Sequence, residues 1–151
     1  MRRKDREIVK RDEIDAIIKN SQVCRLCLSD DGQPYVVPLC FGYDGTSIYF
    51  HCASEGRKLD IINRNCRVSV EFDIVDGLVV ADRACAWGIR YRSVIGFGTA
   101  EFVLDDDEKR EALRSIMEQY GGRVFGFPDH ELKNTAIIKI DLEEVTGKKS
   151  H

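Results

Sequence analysis

Between Val23 and Cys52 the chain reads as three apolar runs separated by two short acidic turns, and this rhythm constrains the fold more than any other feature. Val23 to Leu28 forms a first strand, Asp30-Asp31-Gly32 a turn, and Tyr35 to Phe41 a second strand; Asp44-Gly45 is a hairpin turn, and Ser47 to Cys52 a third strand. The product is a meander closed by tight turns. Arg67 to Val75 continues the pattern as a fourth strand, after which Asp76-Gly77 reads as a turn and the segment to Ala86 is ambiguous between strand and loop. Arg90 to Leu104 is long for one strand, and Gly96 and Gly98 within it predict the bends or bulges by which a sheet curls into a barrel and removes its exposed edges. Thr135 to Leu142 alternates as a last strand.

Helical periodicity occupies the gaps. Asp12 is placed to cap a short helix with Ile14, Ile17 and Ile18 on one face, and Ser54 to cap another from Arg57 to about Arg64. Asp105, Asp106, Asp107 and Glu108 put negative charge at the start of a third helix, whose Leu113, Ile116, Met117 and Tyr120 repeat as a packing stripe. Gly121-Gly122 ends it, and Arg123 to Asn134, with Pro128, reads as loop. No repeat, low-complexity tract or linker divides the 151 residues, so residues 1–151 are read as a single domain.

Composition narrows the function classes. Lys plus Arg (23) against Asp plus Glu (26) leaves a formal charge of −3, without the basic excess of a nucleic-acid binder. No stretch approaches the ~20 apolar residues of a membrane span, and the basic N-terminus has no apolar segment behind it. A cytoplasmic protein is expected. The six cysteines fall in apolar, strand-like segments, where a free thiol behaves as a small hydrophobe. Cys24-Arg25-Leu26-Cys27 looks like continuous strand, which sends its two thiols to opposite faces and argues against a metal knuckle.

The most informative stretch runs from Ile48 to Asp60. A strand ends near His51, and a helix begins shortly afterwards with Arg57 and Lys58 in its first turn. Adjacent cations oppose the helix dipole, which favours negative charge at that end by about 0.3–1 kcal/mol per group. A phosphate would compensate, cradled by Ser54, the flexible Gly56, free backbone N–H groups and the Arg57/Lys58 pair. Alternatively, the two side chains point to solvent, with Glu55 and Asp60 softening their repulsion. Neither a P-loop nor a dinucleotide fingerprint is present: Gly96-Phe97-Gly98-Thr99-Ala100 lacks the third glycine and lies inside a strand.

Five segments in the same order, Val37-Pro38-Leu39-Cys40-Phe41-Gly42-Tyr43, Tyr49-Phe50-His51-Cys52-Ala53, Glu55-Gly56-Arg57-Lys58, Cys85-Ala86-Trp87 with Tyr91-Arg92-Ser93-Val94-Ile95-Gly96-Phe97-Gly98, and Glu143-Glu144-Val145-Thr146-Gly147-Lys148, resemble the FMN-binding split-barrel family. The branch most similar is that of the 5-nitroimidazole resistance proteins, relatives of pyridoxamine 5′-phosphate oxidase. The resemblance implies a mainly β fold with flanking helices, a six-stranded antiparallel split barrel. It also implies a homodimer with FMN in a groove at each subunit boundary. Carried over by position, Arg57 and Lys58 would hold the phosphate, Pro38, Leu39 and Cys40 would line the flavin ring, and His51 would lie beside it. Trp87, Tyr91 and Ser93 would approach the cofactor, from the same or the other subunit.

Two departures stand out. Position 40 is Cys where this branch often carries Asn, and the C-terminus lacks the Arg- and Trp-rich ending of true pyridoxamine phosphate oxidases, so that substrate is not expected. His51 is read either as a ring-adjacent proton donor or substrate-positioning group, or as a surface residue. Trp87 is read as cofactor border or plain core. His130 and His151 are assigned no role. A flavin supplies its own electron chemistry, so no catalytic dyad is required. The implied function is an FMN-dependent oxidoreductase passing electrons from a reduced donor to a small organic acceptor, a nitroaromatic among the candidates; the alternative is a non-catalytic flavin-binding or haem-related carrier or sensor.

Overall fold

The structure, a computed structural model, describes residues 3–122 and 126–150. Its strands are β1 (Glu7–Ile8), β2 (Cys24–Asp30), β3 (Gln33–Leu39), β4 (Gly42–Tyr43), β5 (Ser47–Ala53), β6 (Arg67–Val79), β7 (Gly88–Val103) and β8 (Thr135–Lys149). The helices are α1 (Arg11–Asn20), α2 (Arg57–Arg64), α3 (Asp106–Gln119) and α4 (Asp129–Lys133). All pairings are antiparallel, in the order β3-β2-β6-β7-β8-β5-β4, with β1 joined to the far end of β8. The six long strands are those of a split barrel; β1 and β4 are two-residue additions. The sheet does not close, because β3 and β4 each pair on one side only. The expectation that curling would remove the edges is therefore corrected: the split keeps two.

Local chemistry explains the turns. Asp31 (φ 50°) and Gly32 (φ 83°) both take the left-handed region, the two-residue hairpin geometry whose twist matches the strands it joins. Gly98 permits the β7–β8 bulge, since a Cβ there would run into the carbonyl oxygen of Asp141. Asp105 caps α3 by accepting from the N–H groups of Asp107 and Glu108, both at 3.0 Å. At the other end the Gly122 N–H donates to the Met117 carbonyl (2.9 Å) and the Gly121 N–H to that of Glu118 (3.1 Å), with Gly121 at φ 66°. Ile116 on the predicted stripe is buried.

Other expectations are corrected. Asp12 lies within the first turn of α1, whose cap position is Lys10; Ile14, Ile17 and Ile18 are buried as predicted. Asp76-Gly77 is a bulge inside β6, not a turn, so β6 and β7 run on as a long paired arm to Val79 and Gly88. β8 extends to Lys149 because a second bulge at Glu143 absorbs the break in alternation. The predicted loop 123–134 contains α4; residues 123–125, like His151, lie outside the described residues. Three cysteines are off the strands and exposed: Cys40 between β3 and β4, Cys66 before β6, and Cys85 in a 3-10 turn.

The core fills the barrel. Phe41, Phe50 and Phe72 are fully buried there, and the rings of Phe41 and Phe72 meet at 5.0 Å and 60°. α1 packs on β6 and β7, α2 on β2, and α3 on β4 and β5. No described helix is long and apolar enough to cross a membrane.

Candidate functional site

α2 spans Arg57–Arg64 as predicted, but its cap residue is Gly56 (φ 135°), with no side-chain cap. Ser54 is thus corrected as a cap. It lies exposed, lining a cleft of about 400 Å³ that Lys109 and Lys133 also border. The N–H groups of Leu59 (2.9 Å) and Asp60 (3.2 Å) turn back to the Gly56 carbonyl. Arg57 and Lys58 occupy the first two helical positions, and neither forms an ion pair with Glu55, Asp60 or any other described residue. Arg57 is exposed and Lys58 half-buried.

Each cation meets a different strand. The Arg57 guanidinium carbon lies 4.8 Å from the centroid of the Tyr35 ring on β3. Lys58 stands beside the Cys52 thiol on β5: burial pushes that thiol above its ordinary value, and the Lys58 ammonium opposes the rise. The first turn of α2 so touches strands from both sides of the split, with its cationic groups aimed at no acid. Such a turn can grip an anion.

Pro38 and Leu39 lie at the end of β3, and Cys40 just beyond it. β3 is an edge strand, the placement that a proline requires, and its free side leaves backbone groups for a ligand. Leu39 turns toward the core while Pro38 and Cys40 are exposed. His51 is exposed on the outer face of β5, opposite the half-buried Cys52, and its side chain bonds to no described residue. Trp87 is not core: it is exposed, and its indole N–H donates to the Ala81 carbonyl at 2.6 Å.

Two of the predicted site residues are far apart in register along β8. His51 pairs with Ile137 near the start of β8, whereas Ser93 pairs with Lys148 near its end. Tyr91, two residues before Ser93, has the Lys148 ammonium 5.8 Å from its ring centroid. Eleven residues along β8, about 35 Å of strand, separate these positions.

Sequence reasoning missed Tyr35 and gave Cys52 no role. Inward alternation with Ile48 and Phe50 marks Cys52, but no local signal joins Tyr35 to Arg57. It also missed Tyr120 as a brace of the Cys40 segment. Its hydroxyl accepts from the Phe41 N–H (3.1 Å) and donates to the Gln22 carbonyl (2.9 Å). Cys24 is fully buried and Cys27 only partly, the opposite-face arrangement predicted for a continuous strand. Among the described residues no group of three or more His, Cys, Asp or Glu is placed to hold a metal ion.

An open antiparallel barrel of six long strands with flanking helices is the split-barrel architecture of pyridoxamine 5′-phosphate oxidase-like proteins. The chain belongs to the pyridoxamine 5′-phosphate oxidase family, whose model matches residues 10–149. Among solved structures it is similar to one described as a candidate 5-nitroimidazole antibiotic resistance protein from Bacteroides thetaiotaomicron, at 33% identity and a TM-score of 0.85, over 95% of this chain and 86% of that one. It is also similar to a FAD and heme binding protein from Mycobacterium smegmatis, at 25% identity and a TM-score of 0.88, over 97% and 74% of the two chains. An uncharacterized protein of Rhizobium meliloti is 31% identical over 65 residues, and this match spans 42% of each chain.

Proposed function

We propose that the chain is a cytoplasmic, FMN-dependent oxidoreductase that passes electrons from a reduced donor to a small organic acceptor, with nitroaromatics such as 5-nitroimidazoles as the substrate class. The observation that carries this reading is the uncapped start of α2, where Arg57 and Lys58 face no described carboxylate. A phosphate dianion fits there, satisfying both the guanidinium fork and the helix dipole. Family membership and the 33% identical Bacteroides structure support the flavin and acceptor classes.

In this reading FMN supplies the electron chemistry when bound. Arg57 and Lys58 bind its phosphate, with Ser54 beside the same turn. Pro38, Leu39 and Cys40 border the ring along the free side of β3. His51 positions the acceptor or holds a proton at an imidazole nitrogen. In this reading Trp87, Tyr91 and Ser93 reach the flavin from a second copy of the chain, a placement supported by their remoteness in register from His51 along β8. The reading includes a homodimer with two boundary sites, and the exposed Val75, Leu78, Val80, Trp87 and Ile89 of the β6–β7 region offer it an apolar surface.

The test is the visible spectrum of the purified protein before and after addition of FMN, followed by anaerobic reduction and addition of candidate acceptors. A yellow protein whose Arg57→Ala/Lys58→Ala variant stays colourless is expected, with His51→Ala changing turnover more than binding. Equal FMN retention by the double variant removes the phosphate assignment. Reoxidation by every acceptor no faster than by buffer favours a carrier or sensor instead.

A further inference from the structure

Arg57 makes no hydrogen bond or ion pair with a described residue, yet its guanidinium is not loose: it rests 4.8 Å from the centre of the Tyr35 ring. Tyr35 is itself well fixed. It pairs with Leu28 across the β2–β3 hairpin and packs, half-buried, against the barrel core. A ring held in this way offers its negative face to a cation without competing for the five N–H donors, which a carboxylate partner would occupy.

We propose that Tyr35 is a positioning residue for the anion cradle, acting through Arg57. An unrestrained arginine surrenders much rotamer freedom on binding, and an anion that must order it binds more weakly by that amount. Stacking on Tyr35 orders the side chain in advance. The same contact directs the guanidinium across the split toward β3, while Lys58 lies beside Cys52 on β5, so the two charges are set over different strands and do not crowd one another. The proposal rests on the phosphate reading of the site and adds the residue that prepares it.

The test compares binding of FMN and of riboflavin, which lacks the phosphate, by quenching of flavin fluorescence. Tyr35→Leu should weaken FMN by about two- to fivefold and leave riboflavin unchanged, and Tyr35→Phe, which keeps the ring, should match wild type. In an Arg57→Ala background Tyr35→Leu should have no further effect. Equal weakening of FMN and riboflavin, an undiminished effect in the Arg57→Ala background, or no effect of Tyr35→Leu on FMN each overturns the positioning role. Wild type that fails to prefer FMN to riboflavin removes the phosphate reading along with it, whereas loss of FMN in Arg57→Ala combined with no loss in Tyr35→Leu sinks this inference alone.

Discussion

The backbone N–H of Phe41 donates to the phenolic oxygen of Tyr120 at 3.1 Å, and the two rings meet edge to face with centroids 6.3 Å apart. One hydroxyl thereby ties the end of α3 to the linker between β3 and β4, the segment that carries Cys40. Tyr120→Phe keeps the ring contact and leaves the Phe41 N–H and the Gln22 carbonyl without that partner. A loss of about 1–2 kcal/mol is expected in denaturant unfolding. A midpoint within error of wild type would show that water replaces the hydroxyl at no cost.

Two glycines separate strain from collision. At Gly32 (φ 83°) an added Cβ meets nothing within 4 Å, so Gly32→Ala should cost only the left-handed backbone term, about 1–2 kcal/mol. At Gly98 the Cβ would strike the Asp141 carbonyl, a backbone group of the neighbouring strand that cannot swing away. Gly98→Ala should therefore cost about 3 kcal/mol or more, or leave the protein insoluble. Equal thermal midpoints for the two variants would contradict the bulge at this site.

Acid should weaken the β4–β5 hairpin through Asp44. Partial burial pushes its carboxyl up, but N–H groups of Ser47 (2.7 Å) and Thr46 (2.8 Å) and the Tyr49 hydroxyl (2.7 Å) outweigh that, and the folded value lies below the usual range. A depressed folded value contributes stability that is complete above the unfolded value of about 3.9 and is lost as pH falls through the folded one. Thermal midpoints between pH 7 and pH 2 should fall more gently for Asp44→Asn than for wild type. Parallel curves would assign the acid limb to other carboxylates.

The proposed homodimer is tested on the β6–β7 arm. Leu78→Asp places a charge among exposed apolar side chains and should convert a dimer to monomer in sedimentation at micromolar concentration, with FMN affinity falling in step. A wild-type monomer, or a dimer indifferent to Leu78→Asp, would count against the boundary site.

Much of this fold was legible because its signals are local. Asp-Gly at 31–32 needs two left-handed residues and makes a hairpin wherever strands flank it; the limits of α2 and the caps of α3 depend on neighbours a few positions away. Gly77 shows where such reading stops. Its positive φ suits a turn or a bulge equally, and only the long partner strand β7 decides between them. β8 was predicted short for the same reason, since the bulge at Glu143 is fixed by its partners Phe97 and Gly98. At the site, the Arg57/Lys58 anomaly is local and visible, whereas Tyr35 lies on another strand and meets Arg57 only after the barrel has curled.

β8 sits between β7 and β5 and also receives β1 at Gly147 and Lys148. A nascent chain leaving the ribosome N-terminus first can form the β2–β3 hairpin and the β6–β7 arm alone, but β5 and β1 have no place in the sheet until β8 emerges. Pairing of β5 and β1 into the sheet therefore waits on β8, and in the interval the uncovered strands are open to chaperones or to one another.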